Sequence, residues 1–175
     1  MIWPILSLLA FFLLASLAYA AWRGAPWVPT WKRDLKRIER LAQLQETDRF
    51  VELGCGTGRV CRHLARTSGA VSHGVELSVL QWAYARLLGL LAFSGKACAQ
   101  HHIFLADAFY FDLSPYNVVY LFLMPETYKK IRRKLTSELA SGARVITYVW
   151  PIPGWTPSYV DRVEGSPDLY VYVKK

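Results

Sequence analysis

Hydrophobic and polar positions divide the chain into three textures. Ile2 to Trp22 runs 21 positions without a charge and is rich in Leu, Phe and Ala. At about 1.5 Å per residue this makes about 30 Å of helix, the thickness of a bilayer core. Between Asp34 and Gln45 the apolar residues Leu35, Ile38, Leu41 and Leu44 recur every third position. That stripe predicts an amphipathic helix with a basic outer face, suited either to anionic head groups or to plain solvent. From Arg49 onward short apolar runs alternate with helical periodicities. Strands are predicted at 49–53, 70–75, 102–106, 117–123 and 143–149, with helices at 58–67, 78–93 and 125–140. After Trp150 two short strands, 157–164 and 168–174, flank Gly165-Ser166-Pro167 as a closing hairpin. The order implies an α/β fold: a doubly wound, mostly parallel sheet with an antiparallel C-terminal hairpin.

Composition sharpens the reading of the N-terminus. The chain is 53% hydrophobic with a mean hydropathy of +0.17, high for a globular protein, and the excess sits before residue 23. The net charge is +8, and the segment Arg23–Arg40 holds six basic residues against two acidic ones, half of that surplus. A basic cluster directly after an apolar span reads as juxtamembrane and keeps its flank cytoplasmic; it argues against a nucleic-acid partner. Trp3, Tyr19 and Trp22 stand near the ends of the span, where amphipathic rings favour the membrane interface. Ala18-Tyr19-Ala20 resembles a signal-peptidase site, but no basic region precedes the apolar run. A retained single-pass anchor is the leading expectation, with a cleaved signal and a buried helix as rivals. Pro26 and Pro29 stiffen the linker that follows. The predicted organisation is therefore an anchor at 1–22, a linker with a basic helix at 23–47, and a catalytic domain at 48–175. Three cysteines, Cys55, Cys61 and Cys98, with no paired spacing, point to a reducing compartment and to no metal site.

The densest chemical signal is Glu52-Leu53-Gly54-Cys55-Gly56-Thr57-Gly58, at the end of the first predicted strand. A strand that breaks into alternating glycines and re-emerges as a helix lets a ligand approach the backbone and meet free N–H groups. Two further carboxylates, Glu76 and Asp107, close the second and third strands. Three carboxylates at three successive strand ends converge on the crevice where doubly wound sheets bind ligands. The tip of the second strand is placed to accept both hydroxyls of a ribose.

These residues resemble the cofactor signature of the class I, seven-stranded S-adenosylmethionine-dependent methyltransferases. A narrower resemblance rests on Pro26-Trp27-Val28-Pro29, Glu76-Leu77, Trp82 to Arg86, Asp112 to Val119, Pro125-Glu126, Ala143 to Ile146 and Pro151 to Pro157. It is to the small membrane-anchored protein-lysine methyltransferases of the ATP synthase c subunit and the adenine nucleotide translocase, with their prokaryotic relatives. The resemblance implies a Rossmann-like methyltransferase sheet preceded by one transmembrane helix. It implies S-adenosylmethionine as cofactor, with Gly54, Cys55, Gly56 and Gly58 around its methionine part and Glu52 on its amino group. Glu76 and Leu77 would hold the ribose, and Asp107 with Ala108 the adenine. Two departures stand out: Ser78-Val79 replaces the usual Asn-Pro, and Cys55 and Thr57 occupy loop positions often taken by Ser and Asp.

The implied activity is lysine N-methylation of a membrane protein. Location would be a membrane, with the catalytic domain on the cytoplasmic side, or the inner mitochondrial membrane in a eukaryote. A sulfonium methyl is already electrophilic, so alignment alone can supply about 7–11 kcal/mol and no metal or covalent residue is required. Glu126, Tyr110 and Trp150 are the candidates for the acceptor pocket, together with Tyr116. Two rivals remain open at this point: a methyltransferase of lipids or hydrophobic small molecules, and a non-catalytic protein that keeps the fold. Oligomeric state is not legible.

Overall fold

A computed structural model describes residues 2–24, 27–95 and 100–175; Pro26 and Cys98 lie outside the described residues. The strands are β1 Arg49–Leu53, β2 Val71–Glu76, β3 His101–Leu105, β4 Val118–Leu121, β5 Arg144–Tyr148, β6 Tyr159–Asp161 and β7 Leu169–Val173. The helices are α1 Ile2–Trp22, α2 Leu35–Ala42, α3 Arg59–Ser68, α4 Val79–Ala92 and α5 Pro125–Glu138, with a 3-10 turn at Lys32–Asp34 before α2. Every strand and helix expected from the sequence forms, most ends falling within two residues of the expected bounds.

The sheet order is β3-β2-β1-β4-β5-β7-β6. The first five strands are parallel, and β7 runs antiparallel to both β5 and β6. Strand order reverses between β1 and β4, which opens the crevice above their C-terminal ends. Strands of a doubly wound sheet are covered on both sides, so consecutive residues feed opposite layers. Val51, Leu53, Val119 and Leu121 pack with Tyr128, Ile131 and Leu135 of α5. Phe50, Val118, Tyr120 and Ile146 pack with Ile38 of α2, Leu64 of α3 and Ala85 of α4. Each such aliphatic side chain contributes roughly 1.5–3 kcal/mol by leaving water.

The basic helix α2 is built into this core through Ile38 and Ala42. Two cations of its basic face are tied to carboxylates of the domain. The Arg37 guanidinium donates to Asp161 at 2.7 Å and to Asp34 at 2.9 Å, and Arg40 donates to Asp161 at 2.7 Å. Asp34 is buried and also accepts the Tyr148 hydroxyl at 2.6 Å. Opposite charge rescues buried carboxylates, so α2 is clamped to the β6–β7 hairpin. Segment 23–47 therefore carries part of the domain's packing as well as the link to α1.

Candidate active site

The glycine loop follows β1 with Gly54, Gly56 and Gly58 at φ of 72°, 54° and 66°. These left-handed backbones favour glycine, and at Gly56 a side chain would also intrude on the site. A Cβ there would lie 3.1 Å from the Gln81 amide oxygen and 3.5 Å from the Trp27 ring. The loop is braced by the carboxylates that the sequence singles out. Glu76 accepts the N–H of Gly56 at 2.7 Å and that of Ser78 at 2.8 Å. Glu52 accepts the N–H of Cys61 at 3.0 Å, tying the first turn of α3 to β1. Both carboxylates are buried. Burial pushes the Glu52 carboxyl up to about 8, and it raises Glu76 as well. Glu52 thus sits in the floor bonded to the N–H and thiol of Cys61 and to no cation among the described residues, a setting that suits a cationic ligand group.

Two cavities meet above this floor. One is lined by Glu52, Gly54 to Thr57, Arg59, Gln81, Phe122 and Trp27 to Thr30. The other is a mainly apolar slot between Leu77, Ala106 to Phe109, Leu123, Thr127 and Ile131, closed by Ala20 and Arg23. Gly54 and Glu76 line both, so the two form halves of one crevice. Such a shape, polar at one end and flat and apolar at the other, fits the amino-acid and nucleoside ends of a single elongated ligand.

The roof comes from the N-terminal segment. Arg23 pairs with Asp107 at 2.6 Å and lies over the Phe109 ring at 5.0 Å. Asp107 also accepts the Phe109 N–H at 2.9 Å. The Gly24 carbonyl accepts the Met124 N–H at 2.9 Å, and a Cβ on Gly24 would fall 1.9 Å from the Thr127 hydroxyl. Further along, the Thr30 hydroxyl meets the Tyr120 hydroxyl at 3.1 Å, and Arg59 donates to the Thr30 carbonyl at 2.6 Å.

Most of the residues singled out for the cofactor come together here: Glu52, Gly54, Cys55, Gly56, Glu76, Leu77, Asp107 and Ala108 all line the crevice. Gly58 sits one step behind, as the N-cap of α3. The acceptor candidates are more scattered. Tyr110, Glu126 and Trp150 are exposed beside the strand ends, and none of them lines either cavity. Trp150 follows Val149, a β-branched residue at φ 73°, a strained conformation of the kind concentrated at functional sites. Tyr116 does not belong to the site. Its hydroxyl bonds His73 at 2.8 Å, and its neighbour Asn117 pairs with Arg49 at the N-terminal edge of the sheet. Sequence reasoning missed Arg59, Gln81, Phe122, Ala20 and Arg23, whose only signal was position next to a motif, inside the anchor or in the basic cluster after it.

With that geometry in hand, comparison with known proteins is decisive. The family model for the ANTKMT methyltransferase domain matches residues 52–159. The chain belongs to that family. It is a class I S-adenosylmethionine-dependent methyltransferase. A protein-lysine N-methyltransferase of Saccharolobus islandicus is 28% identical over 85% of this chain and 92% of the relative. The lysine N-methyltransferase of the ATP synthase c subunit from Rattus norvegicus is 27% identical, covering 84% of this chain and 65% of its own length. The adenine nucleotide translocase lysine N-methyltransferase of Mus musculus is 29% identical over 71% of this chain and 52% of that protein. The chain thus spans nearly all of the archaeal relative and about half to two thirds of the mammalian ones. Among solved structures, an RNA methyltransferase from Salinibacter ruber in complex with S-adenosyl-L-homocysteine superposes with a TM-score of 0.78. It is 31% identical, covering 83% of this chain and 93% of that one.

Proposed function

We propose that this protein methylates the ε-amino group of a lysine on a membrane protein, with α1 retained as a single membrane span. The observation that carries the reading is the continuous crevice through Gly54 and Glu76, polar at the Glu52 end and apolar at the Asp107 end. Bound S-adenosylmethionine supplies a methyl group made electrophilic by its positively charged sulfur. The chain's own residues bind and orient. Glu52 holds the cationic amino group, Glu76 takes the ribose hydroxyls on the lone pairs left by Gly56 and Ser78, and Leu77, Asp107 and Ala108 receive the adenine. Gly54, Cys55, Gly56 and Gly58 let the loop backbone approach, and Trp27 and Phe122 exclude water. A protonated lysine has no free lone pair, so the acceptor would have to give a proton to solvent before it could take that methyl group. Apolar walls favour that neutral amine, and Glu126, Tyr110 and Trp150 at the rim guide the incoming chain.

Support for a lysine acceptor is the named activity of the archaeal, rat and mouse relatives. The test is full-length protein in lipid vesicles with methyl-labelled S-adenosylmethionine and the host's membrane proteins, read by mass spectrometry. The expected result is added methyl mass on lysine side chains, lost in Glu76→Ala. Label in the lipid fraction, or in added RNA, with unmodified lysines would overturn the reading.

A further inference from the structure

The helix α1 does not stand clear of the domain. It packs against α4. Along α1 only Leu13, Ser16, Leu17 and Ala20 are shielded, at the spacing of one helical face, whereas residues 2–12 are exposed throughout. The docked half of α1 therefore spans about 15 Å, half of a bilayer core.

Its partner α4 reverses the usual distribution for a surface helix. The buried side carries Gln81, Ala85 and Gly89. The exposed side carries Leu80, Tyr84, Leu87, Leu90 and Leu91 and no charge, with Leu87 at 51%, Leu90 at 60% and Leu91 at 77% exposure. The helix's one cation, Arg86, is drawn inward, close to His102 and over the Trp82 ring. A helix washed by water shows the opposite pattern. An apolar patch of this kind, continuous with a still more apolar helix, marks a surface meant to be covered.

We infer that the outer face of α4 is a second lipid-contacting surface, sunk into one leaflet beside α1. This rests on the reading of α1 as a membrane span. A span docked on α4 along half its length carries α4 into the same slab, so the bilayer is the occupant that geometry demands. The order along the chain agrees. Exposed Trp22, Trp27 and Trp31 follow the apolar half, as interfacial rings, and exposed Lys32, Arg33 and Lys36 come next, where anionic head groups lie. The end of α1 also roofs the crevice. The crevice mouth consequently lies at head-group level, and the acceptors it serves are lysines within a few residues of a membrane protein's bilayer boundary.

The test labels full-length protein with a polarity-sensitive dye at Leu87→Cys and at Leu91→Cys. Cys98→Ser serves as background, since Cys55 and Cys61 are buried. Ile5→Cys on α1 and Lys129→Cys on α5 are the comparison sites, and each variant is first checked for an unchanged melting temperature. In phosphatidylcholine vesicles containing nitroxide-labelled lipid, the dyes at 87 and 91 should be quenched at least twofold, as at 5, with 129 unaffected. Quenching at 5 without quenching at 87 or 91 overturns the α4 surface and leaves the anchor standing. No quenching at 5 overturns the anchor and this inference together. Shielding at 87 without lipid quenching, with cross-linking between two copies through that cysteine, assigns the face to a second copy and also overturns it.

Discussion

The crevice has a floor and a roof of different character. The floor is backbone: three left-handed glycines, the ends of β1 and β2, and buried carboxylates that hold loop N–H groups at 2.7–3.0 Å. The roof is hung from the N-terminal segment by a partly exposed ion pair at Asp107, one carbonyl at Gly24 and two contacts at Thr30. A floor set by strand geometry is fixed when the sheet folds. The roof has fewer anchors: a partly exposed pair at Asp107, worth only about 0–1 kcal/mol, and a buried hydroxyl bond between Thr30 and Tyr120. The difference teaches that the sheet supplies the floor of the crevice, while the N-terminal segment decides how it is closed.

Breaking the floor should have the largest effect. Replacing Glu76 with Ala removes the brace on Gly56 and, on the proposed reading, the ribose acceptor, and affinity for S-adenosylmethionine should fall at least tenfold, about 1.4 kcal/mol, by calorimetry. An unchanged affinity would move the seat elsewhere. Unseating the roof should matter less. In Gly24→Val the new Cβ meets the Thr127 hydroxyl at a φ of 104°. Forced contacts of this sort typically cost about 1–3 kcal/mol, which the hung segment can evade by detaching. The expected result is a few-fold rise in KM for the cofactor with the domain's main melting transition kept. Loss of the whole fold would contradict a detachable roof.

The pH dependence of stability probes the floor again. Burial lifts the folded-state Glu52 carboxyl to about 8 from an ordinary 4.5, so the protonated form is favoured by folding. Its contribution is full below about 4.5 and is lost as pH rises toward 8. Burial pushes His73 and His101 down to about 4, and their contribution is complete above 6.5. Between pH 6.5 and 8 Glu52, with Glu76 shifted the same way by burial, should lower stability as pH rises, Glu52 by up to about 1.4 kcal/mol per pH unit. Melting curves should show that slope in the wild type and a flatter one in Glu52→Gln. The smallest effect is the most discriminating for the roof. Arg23 and the adenine compete for Asp107, so Arg23→Ala should tighten cofactor binding, by about threefold or less. A weakening would mean that Arg23 closes over the bound cofactor as a helper.

The floor was almost wholly legible in the sequence because it is local. Glu52 to Gly58 is one strand–turn–helix unit, and Glu76 and Asp107 mark strand ends that periodicity alone predicts. The hairpin was legible from its own turn at Gly165-Ser166-Pro167. The roof was not. Ala20 read as anchor, and Arg23 and Trp27 to Thr30 as linker. Their placement depends on contacts with Asp107, Thr127 and Tyr120, some 80 to 100 residues later, that no local pattern encodes. Tyr116 misled for the same reason. Its neighbourhood in sequence resembles the family, but the strand it precedes begins at the far edge of the sheet.

Hydrogen–deuterium exchange on the full-length protein in vesicles, with and without S-adenosylhomocysteine, measures floor and roof together. Ligand should slow exchange in the floor, at 54–58, 76–78 and 106–109, and also in the roof at 27–31, beside the Glu52 end. Slowing in the floor alone, with 27–31 unchanged, would contradict a crevice closed by the N-terminal segment.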